Sequence, residues 1–245
     1  MTDHQFADAG LAGWYDEFNN PGRPDFPFYL DLIMSAPSVL DIGCGTGALL
    51  HRAREAGHRG RLCGLDPAEG MLAQARRRSD IDWVLGDLTA IDRAERFDLV
   101  VMTGHAFQVL VTDEEVRAAL GVVRGLLGGR GRFVFETRNP LVRAWERWTP
   151  DHAREIVDSD GAVVRMSHQV SMPVAGDLVS FATTFTSSAL AEPQVSVSTL
   201  RFLGPAALGA LLARAGLVVA EQFGDWDRSP VTARSPEIIS LCGES

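Results

Sequence analysis

From residue 38 to 136, short apolar runs alternate with longer stretches of helical periodicity. Val39–Ile42, Leu62–Leu65, Ile81–Leu85, Phe97–Met102 and Arg132–Glu136 have the length and the Val, Leu and Ile content of buried strands. Helical segments lie between them. One runs from Ala48 to about Glu55, and another opens at Asp113-Glu114-Glu115 with Thr112 as its N-cap. This alternation predicts a parallel sheet with helices on both faces. The pattern changes near residue 150. From Ala162 to Phe202 it has period two: Val163, Arg165, Ser167; Phe181, Thr183, Phe185; Val195, Val197, Thr199. With turns at Asp160-Gly161 and Gly176-Asp177, this predicts three inserted antiparallel strands. Helical periodicity returns over Pro205–Ala215 and stops at Gly216. Leu217–Phe223 and Glu237–Leu241 then predict a closing hairpin. The first 35 residues are aromatic (Trp14, Tyr15, Phe18, Phe26, Phe28, Tyr29) and predicted helical, broken by the turn Asn19-Asn20-Pro21-Gly22. The expected organisation is a helical segment 1–36, a core of 37–150 and 204–245, and an inserted antiparallel unit 151–203.

The densest chemical signal is Val39-Leu40-Asp41-Ile42-Gly43-Cys44-Gly45-Thr46-Gly47, a strand that runs into a glycine turn and then a helix. Glycine at 43, 45 and 47 removes Cβ atoms that would hold a ligand away from the main chain. A phosphate loop needs Gly-Lys-Ser/Thr, and all 23 basic residues here are arginine. Gly43-x-Gly45-x-x-Ala48 with Asp66 about 20 residues on satisfies the loose dinucleotide fingerprint. Asp41 opposes that reading, because a carboxylate before the turn repels a pyrophosphate and suits an ammonium.

Val39–Gly47 closely resembles motif I of the class I S-adenosylmethionine (SAM)-dependent methyltransferases, and the later signals follow in that family's order. Leu62-Cys63-Gly64-Leu65-Asp66 resembles the strand whose final acid binds the ribose hydroxyls. Asp66-Pro67-Ala68-Glu69-Gly70-Met71-Leu72 resembles the stretch that places Met71 against the adenine. Gly86-Asp87-Leu88 follows the third strand, where a family acid accepts from the adenine amino group. Met102 and Thr103-Gly104-His105 follow the fourth, and Leu126–Gly131 resembles the signal before the fifth. The resemblance covers residues 37 to 140. It implies a Rossmann-like, doubly wound seven-stranded sheet of order 3-2-1-4-5-7-6 with strand 7 antiparallel. It also implies SAM as donor, no metal, and residues 1–36 as a lid across the cofactor. The implied cofactor contacts are Tyr15, Asp41, Gly43, Cys44, Gly45, Gly47, Asp66, Pro67, Met71, Gly86, Asp87, Leu88, Met102 and Thr103.

Bulk composition narrows the partners. Net charge is −9, which argues against nucleic acid, whose phosphates need a basic surface. Arginine clusters at 52–61 and 76–78 read as solvated helix faces. Cys44, Cys63 and Cys242 form no C-x-x-C pair and the six histidines no metal spacing, so a reduced, cytoplasmic, metal-free protein is expected. No apolar run approaches the ~20 residues of a membrane span, and no membrane partner is expected.

Methyl transfer from a sulfonium is an in-line displacement by a substrate N, O or C atom. The expected reaction is therefore methylation of an N or O atom of a small molecule, by a monomer or homodimer whose inserted strands cap the pocket or pair with another subunit. A silent SAM-binding module and an NAD-dependent oxidoreductase are the alternatives. His105, in a Gly-His pair similar to that of sugar-amine N-methyltransferases, reads as the base or as a structural histidine bonded to a loop carbonyl. Arg138 reads as a bidentate carboxylate holder or as a partner of Glu136 or Glu146. Phe107, Trp145 and Trp148 read as walls of the acceptor pocket, with core packing as the rival for the two tryptophans, which would share a helix face. Tyr15 reads as reaching SAM's carboxylate or the substrate, or as part of a segment that simply packs through Trp14 and Phe18. His168, on an alternating strand, has no assigned direction.

Overall fold

Successive side chains of a strand point to opposite faces of its sheet, and here that rule divides the apolar core into two layers. The computed structural model describes residues 3–19 and 22–244, so Asn20 and Pro21 of the expected turn lie outside the described residues. The strands are β1 (Ser38–Ile42), β2 (Arg61–Asp66), β3 (Asp82–Leu85), β4 (Phe97–Met102), β5 (Leu127–Arg138), β6 (Arg154–Val157), β7 (Val163–Val170), β8 (Leu178–Ser187), β9 (Gln194–Arg201), β10 (Leu217–Phe223) and β11 (Glu237–Glu244). The helices are α1 (His4–Ala7), α2 (Ala9–Gly13), α3 (Tyr15–Asn19), α4 (Asp25–Met34), α5 (Ala48–Glu55), α6 (Glu69–Ala75), α7 (Asp113–Leu126) and α8 (Pro205–Arg214). Leu40, Val100, Phe133 and Phe135 pack toward α7 and α8, against Val116, Leu120, Leu208 and Leu212. Their neighbours Val39, Leu99, Val101 and Val134 pack toward α4 and α5, against Tyr29, Ile33, Leu49 and Leu50. Each such fully buried Leu, Ile, Val or Phe side chain contributes about 1.5–3 kcal/mol over leaving it exposed.

The large sheet has the order β10-β11-β5-β4-β1-β2-β3. β1 to β5 pair in parallel, and β11 is antiparallel to both β5 and β10. Counted without the inserted strands, this is the order 3-2-1-4-5-7-6 with strand 7 antiparallel. α7 starts with the expected cap: the Thr112 side chain accepts from Glu115 N–H, and the Glu115 carboxylate accepts from Thr112 N–H.

The insertion forms a second sheet, β6-β7-β8-β9, antiparallel throughout. It has four strands where period two predicts three. The extra one, Arg154–Val157, is an edge strand with little burial on either side, so its sequence shows no alternation. Asp158 turns it into β7: one carboxylate oxygen accepts from Asp160 N–H (3.0 Å) and Ala162 N–H (2.8 Å). Residues 140–152 form short 3₁₀ turns, so Trp145 and Trp148 share no helix face as expected.

The N-terminal helices bridge the two sheets. Leu11, Trp14 and Phe18 pack on Val164, Met166 and Phe185 of the second sheet. Gly70 of α6 lies against the carbonyls of Phe6 and Ala7, where an added Cβ would stand 2.9 Å from each. Gln5 N–H donates to Ser196 Oγ at 3.1 Å, and Ser198 Oγ donates to the Asp3 carboxylate.

Candidate active site

β1 runs into the turn Gly43–Gly47, and all three glycines adopt left-handed backbone (φ 73°, 55° and 74°). Their reasons differ. A Cβ on Gly43 would stand 2.9 Å from Ala106 Cβ, and one on Gly47 2.4 Å from Trp83, whereas one on Gly45 would meet nothing within 4 Å. Gly43 and Gly45 line the cavity, Gly43 also being packed against Ala106, whereas Gly47 lines no cavity and is glycine because of Trp83, which corrects the expectation that all three clear room for a ligand. Two bonds from Gly43 and Cys44 N–H to Leu65 O (2.8 and 3.1 Å) tie the turn to β2. Asp66, at the end of β2, accepts from Gly45 N–H and Ala68 N–H, both at 2.8 Å. Burial raises its pKa against those two bonds.

A chamber of about 40 Å³ behind the turn is lined by Tyr15, Arg23, Asp41, Gly43, Gly45 and Thr46, among others. Asp41 is 1% exposed, and its Oδ1 has no partner among the described residues. Burial, with Asp66 and Glu136 nearby, pushes its pKa up to about 8. A buried carboxyl with one free oxygen, beside a glycine that leaves open space, fits the ammonium end of an amino-acid ligand.

The chamber adjoins a cavity of about 570 Å³ that runs from Gly45, Asp66 and Met71 to β7, β8 and β9. His105 stands on its wall with φ 64°, a left-handed backbone uncommon outside glycine. Its N–H donates to Glu136 Oε1 at 2.7 Å, and the Tyr29 hydroxyl donates to the other oxygen of Glu136. The His105 Nε2 lies 2.9 Å from Glu237 Oε2. Burial and the Arg138 guanidinium push the His105 pKa down to about 3, and burial pushes Glu237 up to about 8. At neutral pH the pair therefore carries no net charge. Glu237 is brought there by register, because β11 pairs it with Arg138 at the end of β5. Asn139 anchors the preceding loop through Nδ2 bonds to Thr232 O (3.0 Å) and Ser235 O (2.9 Å).

Arg138 lines the cavity and bonds Gln108 Oε1 at 3.1 Å. The rival partners are otherwise engaged: Glu136 as above, and Glu146 with Arg143 at 3.0 Å. His168 faces the cavity, its Nδ1 3.0 Å from Thr183 Oγ1.

Of the residues expected from sequence, Tyr15, Gly43, Gly45, Asp66, Pro67, Met71, Thr103, His105 and Arg138 line the cavity, and Asp41 and Cys44 the chamber. Trp14 and Phe18 pack on the second sheet, and Tyr15 lines the cavity. Gly47, Gly86, Asp87, Leu88, Met102, Phe107 and Trp145 line neither. Asp87 caps a short turn by accepting from Thr89 N–H at 2.8 Å. Phe107 is core: it is 2% exposed and stacks on Phe135 at 4.3 Å. Trp145 packs edge-on against Phe202 at 4.5 Å, and Trp148 is the tryptophan at the wall. Sequence reasoning missed Arg23, Arg154, Trp226 and Glu237. Only Glu237 had a local signal, as the first residue of the strand expected to close beside β5. Among the described residues, no group of three or more His, Cys, Asp or Glu side chains is placed to hold a metal.

Known proteins agree with this geometry. Residues 39–131 match the model of a methyltransferase domain. The chain is 30% identical over 242 residues to the cypemycin N-terminal methyltransferase of a Streptomyces species, across 94% of this chain and 87% of that one. It is 30% identical over 130 residues to the malonyl-[acyl-carrier protein] O-methyltransferase of Anoxybacillus flavithermus, a match spanning 51% of this chain and only 49% of that relative. The CcbJ methyltransferase of Streptomyces caelestis shares the fold, with a TM-score of 0.76 over 96% of both chains at 23% identity. By fold, glycine turn and near full-length kinship, the chain belongs to the class I SAM-dependent methyltransferases.

Proposed function

We propose that this protein methylates an N or O atom of a small molecule, by in-line displacement at the sulfonium carbon. One observation carries the reading: a single cavity joins the glycine turn and Asp66 to an acceptor end built from the second sheet, with His105 on the wall. The relatives include an N-terminal and an O-methyltransferase by name, so both acceptor atoms stay in the proposal. SAM, when bound, supplies an electrophilic methyl on a leaving group that needs no acid. Asp41 would hold its ammonium, Asp66 the ribose hydroxyls, and Met71 the adenine. Residues 1–36 act as lid and 151–203 as cap, in a cytoplasmic monomer or homodimer.

Alignment of the two partners supplies most of the rate, on the order of 7–11 kcal/mol of barrier in well-oriented cases. A base adds about 10²–10⁴-fold where the acceptor atom starts protonated. His105 is neutral at physiological pH, and its imidazolium is stabilised once Glu237 has ionised, near pH 8. The His105–Glu237 pair therefore takes up the acceptor's proton best in that range. The test is S-adenosylhomocysteine formation across metabolite pools, read by mass spectrometry. Turnover should rise with pH through 7 to 8, and His105→Ala should lower it about 10²–10⁴-fold with SAM affinity kept. Bound SAM with no acceptor consumed would leave a binding module instead. Undiminished turnover in the variant would remove His105 from the chemistry.

A further inference from the structure

Two arginines line the cavity without a salt bridge among the described residues. Among the described residues, neither Arg138 nor Arg154 makes a salt bridge, whereas Arg23 is paired with Asp25, Arg165 with Glu155, and Arg201 with Asp113 and Asp177. Arg138 engages its guanidinium only through Nη1, to the neutral amide of Gln108 at 3.1 Å. Arg154 donates to the Phe18 carbonyl at 2.7 Å and, at 3.5 Å, to Asn19 Oδ1. Burial lowers the pKa of both; buried Arg138 is held there at a cost, whereas Arg154, on the edge strand, is largely exposed. Glu237 and Glu136 are the carboxyls that act on Arg138, and neither is within salt-bridge distance of it. The two guanidiniums act on one region. His168, on β7, is held below its ordinary range by burial and then by Arg154 and Arg138 together. Arg138 also lies over Trp148 (5.3 Å), which packs on Phe181 at 4.8 Å, so an aromatic wall adjoins the positive region.

We infer that the methyl acceptor carries an anionic group, a carboxylate or a phosphate, received between Arg138 and Arg154 beside the Trp148–Phe181 wall. This rests on the methyltransferase reading above and adds the acceptor's charge to it. Guanidinium forks match both oxyanions, each by paired N–H donors. The donor's own carboxylate is a poor rival for this position. Arg23 lines the chamber beside Asp41 and the glycine turn, while Arg138 and Arg154 line only the larger cavity. A consequence follows for His105. Arg138 is one of the charges that depress its proton affinity, so an anion seated on Arg138 relieves that effect and makes His105 a stronger base when the acceptor is bound.

Calorimetry with benzoate, phenyl phosphate and neutral benzamide, on the full chain with and without S-adenosylhomocysteine, tests the inference. At least one anion should bind tenfold or more tighter than benzamide, and the tighter of the two identifies the group. Arg154→Gln and Arg138→Gln should each lose about tenfold in anion affinity with benzamide unaffected, and Arg154→Lys should recover part of it. Thermal melts establish that the variants fold. Anions binding no better than benzamide, or equally well to both glutamine variants, overturn the inference. So does competition between the anion and S-adenosylhomocysteine, which would assign the arginines to the donor. Absence of S-adenosylhomocysteine binding would instead strike the methyltransferase reading, while the anion arm on the free protein still decides this site.

Discussion

Asp41 keeps a proton that an ordinary aspartate loses. Its pKa, raised from 3.8 to about 8 by burial, makes a sign that can be worked out. The folded protein holds this proton up to about pH 8 and the unfolded chain releases it near 3.8. The group's contribution to stability is therefore full below pH 3.8 and is lost as pH rises through 8. Donor binding reverses the preference, because an ammonium beside Asp41 favours the carboxylate. Up to one proton per site should leave the protein when SAM binds at pH 6.5–7, and almost none above pH 9. Calorimetry in buffers of different ionisation enthalpy reads that proton directly. Asp41→Asn should abolish the release and weaken SAM binding by about 10–100-fold, since a charged hydrogen bond contributes on the order of 1.5–3 kcal/mol. Release unchanged in the variant would place the titrating group elsewhere. The acid before the glycine turn was legible in the sequence; its protonation was not, because its burial and the nearby carboxyls of Asp66 and Glu136 are properties of the folded site.

At the scale of elements, the glycine turn and the third strand form one packed unit. Trp83 of β3 occupies the space that a side chain on Gly47 or Gly64 would take, with clashes of 2.4 Å at both. Its Nε1 donates to Arg78 O at 2.8 Å, which fixes the ring. Gly47→Ala should therefore destabilise the fold twice over, by its φ of 74° and by the indole, at roughly 1–3 kcal/mol for each effect. Trp83→Leu should recover the steric part and none of the backbone part, which a double-mutant cycle from denaturant unfolding measures. Additive losses would show that the indole is not the obstacle. The same scale shows what a sequence can convey. Strand–helix alternation marked the large sheet and its closing hairpin because core strands are apolar in short runs. β6 escaped notice because an edge strand buries neither face, and Phe107 and Trp145 were misplaced because adjacency to a strand end does not determine which way a turn rotates the side chain. Glu237 lies 132 residues from His105 and reaches it because β11 pairs with β5; the start of that strand was legible, its histidine partner was not.

The whole molecule encloses the cavity with three parts of the chain: Tyr15 and Arg23 from the N-terminal segment, the strand ends of the large sheet, and β7 to β9 of the second sheet. The polar closures between N-terminal segment and second sheet are Gln5 to Ser196, Asp3 to Ser198, His4 to Gln194, and Arg154 to the Phe18 carbonyl and Asn19. Residues 3–19, held mainly by Leu11, Ala12 and Phe18 in helices of four and five residues, have little local stability of their own. A donor seated along the glycine turn would contact this segment, through Tyr15, together with the core, so the free energy of binding would fall largely on the weakest part. S-adenosylhomocysteine at 100 times its Kd should add about 2.7 kcal/mol to global stability, a rise in Tm of roughly 5–10 °C for a chain of this length. Amide exchange should slow most over residues 3–19 and least in β10, at the far edge of the large sheet. Equal slowing across both sheets would mean that the donor tightens the protein as one body, and that the N-terminal helices are not a separately opening lid.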